Sequence, residues 1–269
     1  MIFATDLDRT MIYSPKFLNN ENKNLVTLVE TLDGKDISYM SNFSLKKLEE
    51  INSILYVVPV TTRSIEQFKR INTFKYCKYA ITSNGGTILQ NGEILEEWEQ
   101  HILKIVDKQK NKMTEIMDFL SNQMYITREP CLVDGKFIFS KTDNIEECEN
   151  ILEKKLDKEL WNYTIQSQKV YVIPKEITKS NAIKFLKEKL GEKDVIAAGD
   201  GKMDKDMLDI ANIAILPKHG ELFIKHKYKK DKLIFVDDGI FSSDRIIEKV
   251  YEIYKGGNKF EKELQFWLR

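Results

Sequence analysis

Near the N-terminus the run DLDRT holds two carboxylates, Asp6 and Asp8, separated by one residue. Three more polar groups follow at long intervals: Thr61, Thr62 and Arg63 in TTR, then Lys179, then Asp200 and Asp204 in GDGKMDKDM. On extended backbone alternate side chains point the same way, so Asp6 and Asp8 can face one cavity. Asp200 and Asp204 are four apart, and a helix starting after Gly201 would bring them together across its first turn. Four carboxylates in a small volume repel, and some would stay protonated. A divalent cation removes that conflict. Mg²⁺ suits the task, because it prefers carboxylate oxygen, keeps waters and commonly bridges to substrate phosphate. A phosphoryl group would then find donors in the Thr61 hydroxyl, the Lys179 ammonium and backbone N–H groups after the first strand. One carboxylate can attack phosphorus to give an aspartyl-phosphate, and a second can protonate the leaving oxygen and later take a proton from water. The cation and the lysine would stabilise the phosphoryl group in flight.

Such residues work together only if the fold collects them. Short apolar runs end just before each group: Ile2–Thr5, Val57–Thr61 and Val195–Gly199, with further runs at Tyr79–Ser83, Ile213–Leu216 and Leu233–Val236. They show little alternation, as expected of strands covered on both faces of a parallel sheet. Between them, Leu45, Leu48 and Ile51, then Ala182, Phe185, Leu186 and Leu190, then Ile246, Ile247, Val250 and Ile253 have helical spacing. Strands alternating with helices predict a doubly wound α/β fold, whose ligands bind beyond the carboxyl ends of the strands. From Thr87 to Pro174 the pattern changes. A helix at Ile102–Asn122, two strands around Gly135, a helix at Ile145–Leu156 and strands at Trp161–Gln166 and Val170–Ile173 predict an inserted α+β domain with an antiparallel sheet. Phe260, Leu264, Trp267 and Leu268 predict a last helix docked on the body.

The 269 residues carry 42 Lys+Arg and 42 Asp+Glu, a formal net charge of zero that calls for neither nucleic acid nor an anionic membrane. Three scattered cysteines, Cys77, Cys131 and Cys148, fit a reducing compartment and lack zinc-site spacing. The start MIFATDLD meets a charge too early for a signal peptide, and no apolar run is long enough for a bilayer, so a cytoplasmic location is expected.

DLDRT, TTR, Lys179 and GDGKMDKDM, in that order, resemble the four motifs of the haloacid dehalogenase (HAD) superfamily of phosphatases. The resemblance covers about residues 1–84 and 178–239, and SNGG at Ser83–Gly86 is similar to the run that precedes the family's larger α/β cap. It implies a Rossmann-like core over residues 1–86 and 175–269 and a cap over 87–174. It also implies a Mg²⁺-dependent phosphatase acting on a small phosphorylated metabolite, with sugar phosphates first, as in sucrose-phosphate-phosphatase-like proteins. By position Asp6 resembles the nucleophile, and Asp8 the general acid/base with its backbone carbonyl on the metal. Thr61 matches the phosphate-binding hydroxyl and Lys179 the motif lysine. Asp200 resembles the direct metal ligand, and Asp204 its acidic partner. Three positions depart from the pattern: Arg9 and Thr62 replace glycines, and Met203 replaces an asparagine. Two other readings stay open, a phosphohexomutase-like phosphoryl transfer and a phosphate- or partner-binding protein whose catalysis has decayed.

Secondary candidates divide between function and structure. Arg9, Arg63 and Asn84 are candidate substrate contacts, with a salt bridge or a tight turn as the bland alternatives for the last two. Asn181 is either metal support or a helix cap. His101, His219 and His226 show no ligand spacing and are expected at the surface or in structural roles, although His219 follows a strand end. Lys225, Lys227, Lys229 and Lys230 read as a solvated face. Trp98, Tyr125, Trp161, Tyr163 and Tyr171 read as sheet core rather than a sugar platform.

Overall fold

The structure is a computed structural model that describes the backbone of residues 1–267 and the side chains of residues 1–256. The side chains of Phe260, Leu264, Trp267 and Leu268, expected to dock a last helix, lie outside the described residues. The chain forms two compact units. The first comprises Met1–Pro59, Arg70–Tyr79 and Lys187–Arg269, and the second Val60–Lys69 and Ala80–Leu186. The second therefore contains all of the expected insert together with the flanking stretches that carry Thr61 and Lys179.

The first unit is built on a five-stranded parallel sheet in the order Leu233–Val236, Ile213–Pro217, Val195–Ala198, Ile2–Thr5, Tyr56–Pro59. The two strands that lead into the aspartates are adjacent near the middle of the sheet, with Thr5 opposite Ala198. Every residue of both is buried, which explains their unbroken apolar sequence. The edge strand Leu233–Val236 is more open, and Phe235 is exposed. Among the helices of this unit, Asn42–Asn52 buries Ser44, Leu48 and Ile51. It starts where the Ser41 side chain accepts from the N–H groups of Phe43 and Ser44, an N-cap that satisfies two otherwise orphaned donors.

Two features differ from the sequence expectation. An antiparallel hairpin, Val26–Leu32 with Lys35–Ser41, follows the first motif. Its turn is Asp33-Gly34, both at positive φ (49° and 72°); Asp-Gly is a strong hairpin signal, but the strands VTLVETL and KDISYMS that flank it are not unbroken apolar runs. Tyr79–Thr82 does not join the parallel sheet. It lies in a separate three-stranded sheet with Thr87–Gln90 and Glu93–Ile94, and an isolated parallel bridge joins Ile81 to Val60. A short buried run reports burial on both faces but not which sheet supplies the neighbours.

The second unit contains a four-stranded antiparallel sheet in the order Trp161–Gln166, Lys169–Pro174, Phe137–Thr142, Ile126–Val133. The helices Glu96–Ser121 and Ile145–Lys155 supply the rest of its core. Met113, Ile116, Leu120, Cys148 and Leu152 pack with Ile138, Trp161, Val170 and Val172, and Tyr125 and Tyr163 lie against this cluster. These aromatics are sheet core, as expected. Trp98 has a different role: its indole N–H donates to the Gly85 carbonyl (2.9 Å) and its ring packs on Phe185.

Candidate active site

Asp6 is the first residue beyond its strand, and its N–H donates to the Ala198 carbonyl at 2.9 Å. Asp200 lies two residues beyond the neighbouring strand. Adjacent parallel strands in register thus deliver both carboxylates to one sheet edge, although 194 residues separate them in the chain. The chain then turns sharply. The Leu7 carbonyl accepts from the N–H groups of Thr10, Met11 and Ile12 at 2.9–3.1 Å, and the Thr10 hydroxyl lies 3.4 Å from Asp6 Oδ2.

Asp204 arrives by a different device. No α-helix starts at Gly201; a 3₁₀ turn, Lys202–Asp204, precedes the short helix Lys205–Ile210. Asp204 Oδ2 accepts from the N–H groups of Asp200 (3.1 Å) and Gly201 (2.8 Å), so the carboxylate staples its own loop. This approach requires Gly199, where a Cβ would lie 2.5 Å from Asp204 Cβ. Gly220 likewise lets a neighbouring turn reach the Asp200 carbonyl, which accepts from Leu222 N–H at 3.1 Å.

Asp6, Asp200 and Asp204 can each offer one carboxylate oxygen such that all three lie within 4.8 Å of one another, and all three residues are buried. Oxygens on opposite sides of one Mg²⁺ lie about 4.2 Å apart, so the trio suits a single hard dication. Asp8 is exposed and its carboxylate is not in this group.

Arg9 sits beside the trio. Its Nε lies 3.2 Å from Asp200 Oδ2, and its Nη2 donates to the His219 carbonyl at 2.6 Å. His219 Nδ1 accepts from Gly239 N–H (3.1 Å), which leaves the proton on Nε2 to donate to the Arg9 carbonyl at 2.7 Å. Burial, with the nearby Arg9 charge as a smaller cause, lowers the His219 pKa and favours this neutral form. His219 therefore has a structural role beside the site. Its position just past the strand Ile213–Pro217 was the signal in the sequence. His226 is exposed and lies 3.8 Å from Glu221.

The remaining candidates belong to the second unit. Thr61 and Lys179 are both buried, and Lys179 Nζ donates to the Val60 carbonyl at 3.1 Å, immediately before Thr61. Lys179 opens the helix Lys179–Leu190. The Thr61 hydroxyl accepts from Arg63 N–H at 3.2 Å, and Arg63 is half-buried. Asn84 N–H donates to the Thr61 carbonyl (3.0 Å), and its side-chain amide reaches Ile177 O at 3.4 Å. Ser83, Asn84 and Gly85 all have positive φ, and Gly85 packs so closely on Thr178 that a Cβ there would lie 2.1 Å from its carbonyl oxygen. The SNGG run is thus a tight turn that fixes the chain just before Lys179. Asn181 N–H donates to Thr178 Oγ1, and its side chain donates to Glu176 O, local bonds of a helix start.

Residues 131–230 match the family described as haloacid dehalogenase-like hydrolases. The match covers 100 of the 269 residues. No curated protein sequence matches it significantly. Among solved structures, the chain is similar to the sucrose-phosphatase of Synechocystis sp. PCC6803, solved with sucrose and phosphate. The TM-score is 0.66 at 13% identity, over 94% of this chain and 97% of that one. BT1666 from Bacteroides thetaiotaomicron, described among the phosphatases of the haloalkanoate (HAD) enzyme superfamily, gives 0.57 at 14% identity, over 93% and 94%. A haloacid dehalogenase-like hydrolase from B. subtilis gives 0.57 at 14%, over 92% and 98%. At these identities the likeness establishes the shared fold, a parallel-sheet α/β core with additional antiparallel sheets.

Proposed function

We propose that this chain is a haloacid dehalogenase-type, Mg²⁺-dependent phosphatase of small phosphomonoesters, with a sugar phosphate as the first class to test. The observation that carries the reading is the buried trio Asp6, Asp200 and Asp204, whose oxygens gather at the spacing of one hard cation. The sugar-phosphate class draws support from the fold shared with a sucrose-phosphatase. The free cysteines accord with the proposed cytoplasmic location. Among the described residues no helix is long and apolar enough to cross a membrane.

In this reading Asp6 attacks phosphorus and becomes an aspartyl-phosphate as the ester oxygen departs. Asp8 gives that oxygen a proton and then takes one from the water that releases phosphate. Asp8's exposure accords with trading protons with solvent, and the resemblance gives only its backbone carbonyl to the metal. Thr61 and Lys179 are assigned to the phosphoryl oxygens by their motifs. Their burial and the Lys179–Val60 bond give them fixed positions within their own unit. Asp6, Asp200 and Asp204 would hold Mg²⁺, which when bound would neutralise charge on the phosphoryl group. Arg9, Arg63 and Asn84 are the proposed substrate contacts, and Arg9 has the best geometric support. Residues 87–174 are the proposed cap.

The test is phosphate release across a panel of sugar phosphates and a generic aryl phosphate, with and without Mg²⁺. Wild type should release phosphate only with the metal, and Asp6→Asn should abolish turnover. Release that persists in Asp6→Asn, or that ignores chelation, would remove the nucleophile and metal assignments.

A further inference from the structure

Arg9 holds a conformation that needs explaining. Its φ is 65°, in the left-handed region that bulky side chains avoid. The conformation is locked from three directions: Arg9 N–H donates to Ile12 O at 2.8 Å, its carbonyl accepts from His219 Nε2, and its Nη2 donates back to the His219 carbonyl. His219 is itself fixed by Gly239 N–H and by edge contacts with Tyr13 and Phe17, at centroid distances of 6.0 and 5.4 Å. The result is a guanidinium on a rigid mount.

The pairing with Asp200 does not account for the whole guanidinium. A counter-ion built only to neutralise a buried carboxylate would be buried with it and would use a two-toothed contact. Here the Asp200 side chain is 6% exposed while the Arg9 side chain is 45% exposed, and the approach between them, 3.2 Å to Oδ2, is from Nε. Among the described residues Nη1 has no protein acceptor. A pre-oriented, half-exposed guanidinium edge next to a carboxylate cluster is a receptor for a second anion.

We propose that Arg9 selects phosphomonoesters whose leaving group carries a further anionic group, a phosphate or a carboxylate, and that His219 is the residue that positions it. The proposal rests on the phosphatase reading of the same site. Arg9 stays outside the bond-breaking chemistry, and its contribution is to bind and orient the part of the substrate that leaves.

The experiment compares kcat/KM for fructose 1,6-bisphosphate, glucose 6-phosphate and p-nitrophenyl phosphate in wild type, Arg9→Ala, His219→Ala and His219→Gln, all with Mg²⁺. Wild type should favour the bisphosphate. Arg9→Ala should lower the bisphosphate-to-aryl ratio at least about tenfold, the scale of one charge-assisted hydrogen bond. His219→Ala should lower the same ratio through KM. His219→Gln, whose amide N–H can replace Nε2–H, should restore most of it. A ratio unchanged in Arg9→Ala, or a wild type that prefers glucose 6-phosphate, would overturn the proposal. If wild type hydrolyses none of the three, the phosphatase reading falls by itself. Calorimetric titration of wild type and Arg9→Ala with fructose 1,6-bisphosphate then decides: weaker binding by Arg9→Ala sustains the anion site, and equal or absent binding refutes it.

Discussion

Asp204 has a structural task beside its place in the proposed ion site. One of its oxygens receives two backbone N–H groups of the loop that also carries Asp200. Asp204→Ala should therefore cost stability as well as metal affinity, about 1–3 kcal/mol for two buried donors left unmet. Asp204→Asn keeps an acceptor and should recover part of that stability but not the affinity. Chemical denaturation of the two variants, alongside metal titration, separates the effects. Gly199→Ala should damage the same loop, because its new methyl group meets Asp204 at 2.5 Å. His219 gives a pH signature. Burial holds its folded pKa below the ordinary 6.5, so the unfolded chain binds its proton more readily. The stability it contributes is present above the unfolded pKa and is lost as pH falls through the lower folded value. Thermal melts from neutral to mildly acidic pH should show a steeper loss for wild type than for His219→Gln. The grouping of Asp6, Asp200 and Asp204 was legible in the sequence because these aspartates follow predicted strand ends. Arg9's lock on His219 was not legible, since 210 residues separate the partners and only the fold joins the two loops.

At the level of elements, the site depends on strand order and on turns. The adjacency of Ile2–Thr5 and Val195–Ala198 follows from parallel pairing, and no local pattern announces which strands will be neighbours. The sequence therefore identified the strands of the parallel sheet but assigned Tyr79–Thr82 to it as well. The SNGG turn was legible as a turn, but the reason for its glycine was not. Gly85 combines φ of 96° with a backbone contact too close for any side chain. Gly85→Ala should destabilise the second unit by at least about 1–3 kcal/mol, the cost of one strained backbone position. It should also loosen the segment before Lys179. Urea unfolding and hydrogen exchange at residues 177–181 would detect this, and unchanged protection there would show that the turn does not support the lysine.

Across the whole molecule, equal numbers of acidic and basic residues leave recognition to local geometry rather than to a global field. Each unit has its own apolar core, and that of the second lies between its antiparallel sheet and the helices Glu96–Ser121 and Ile145–Lys155. Helical spacing and strand patterning pointed to an insert over residues 87–174, and the second unit is wider, taking in Val60–Lys69 and Ala80–Leu186. Ile116 is fully buried in that core, so Ile116→Ala should cost about 2–5 kcal/mol in a denaturant titration. A negligible cost would mean that the helix is not packed as described.

The account stands on three aspartates gathering around one hard cation, and the direct measurement is a Mn²⁺ titration followed by electron paramagnetic resonance, with Mg²⁺ as competitor. Wild type should bind one ion that Mg²⁺ displaces, and Asp200→Asn and Asp204→Asn should each lose most of that affinity while remaining folded. Equal binding by wild type and both variants, or no binding at all, would contradict the account.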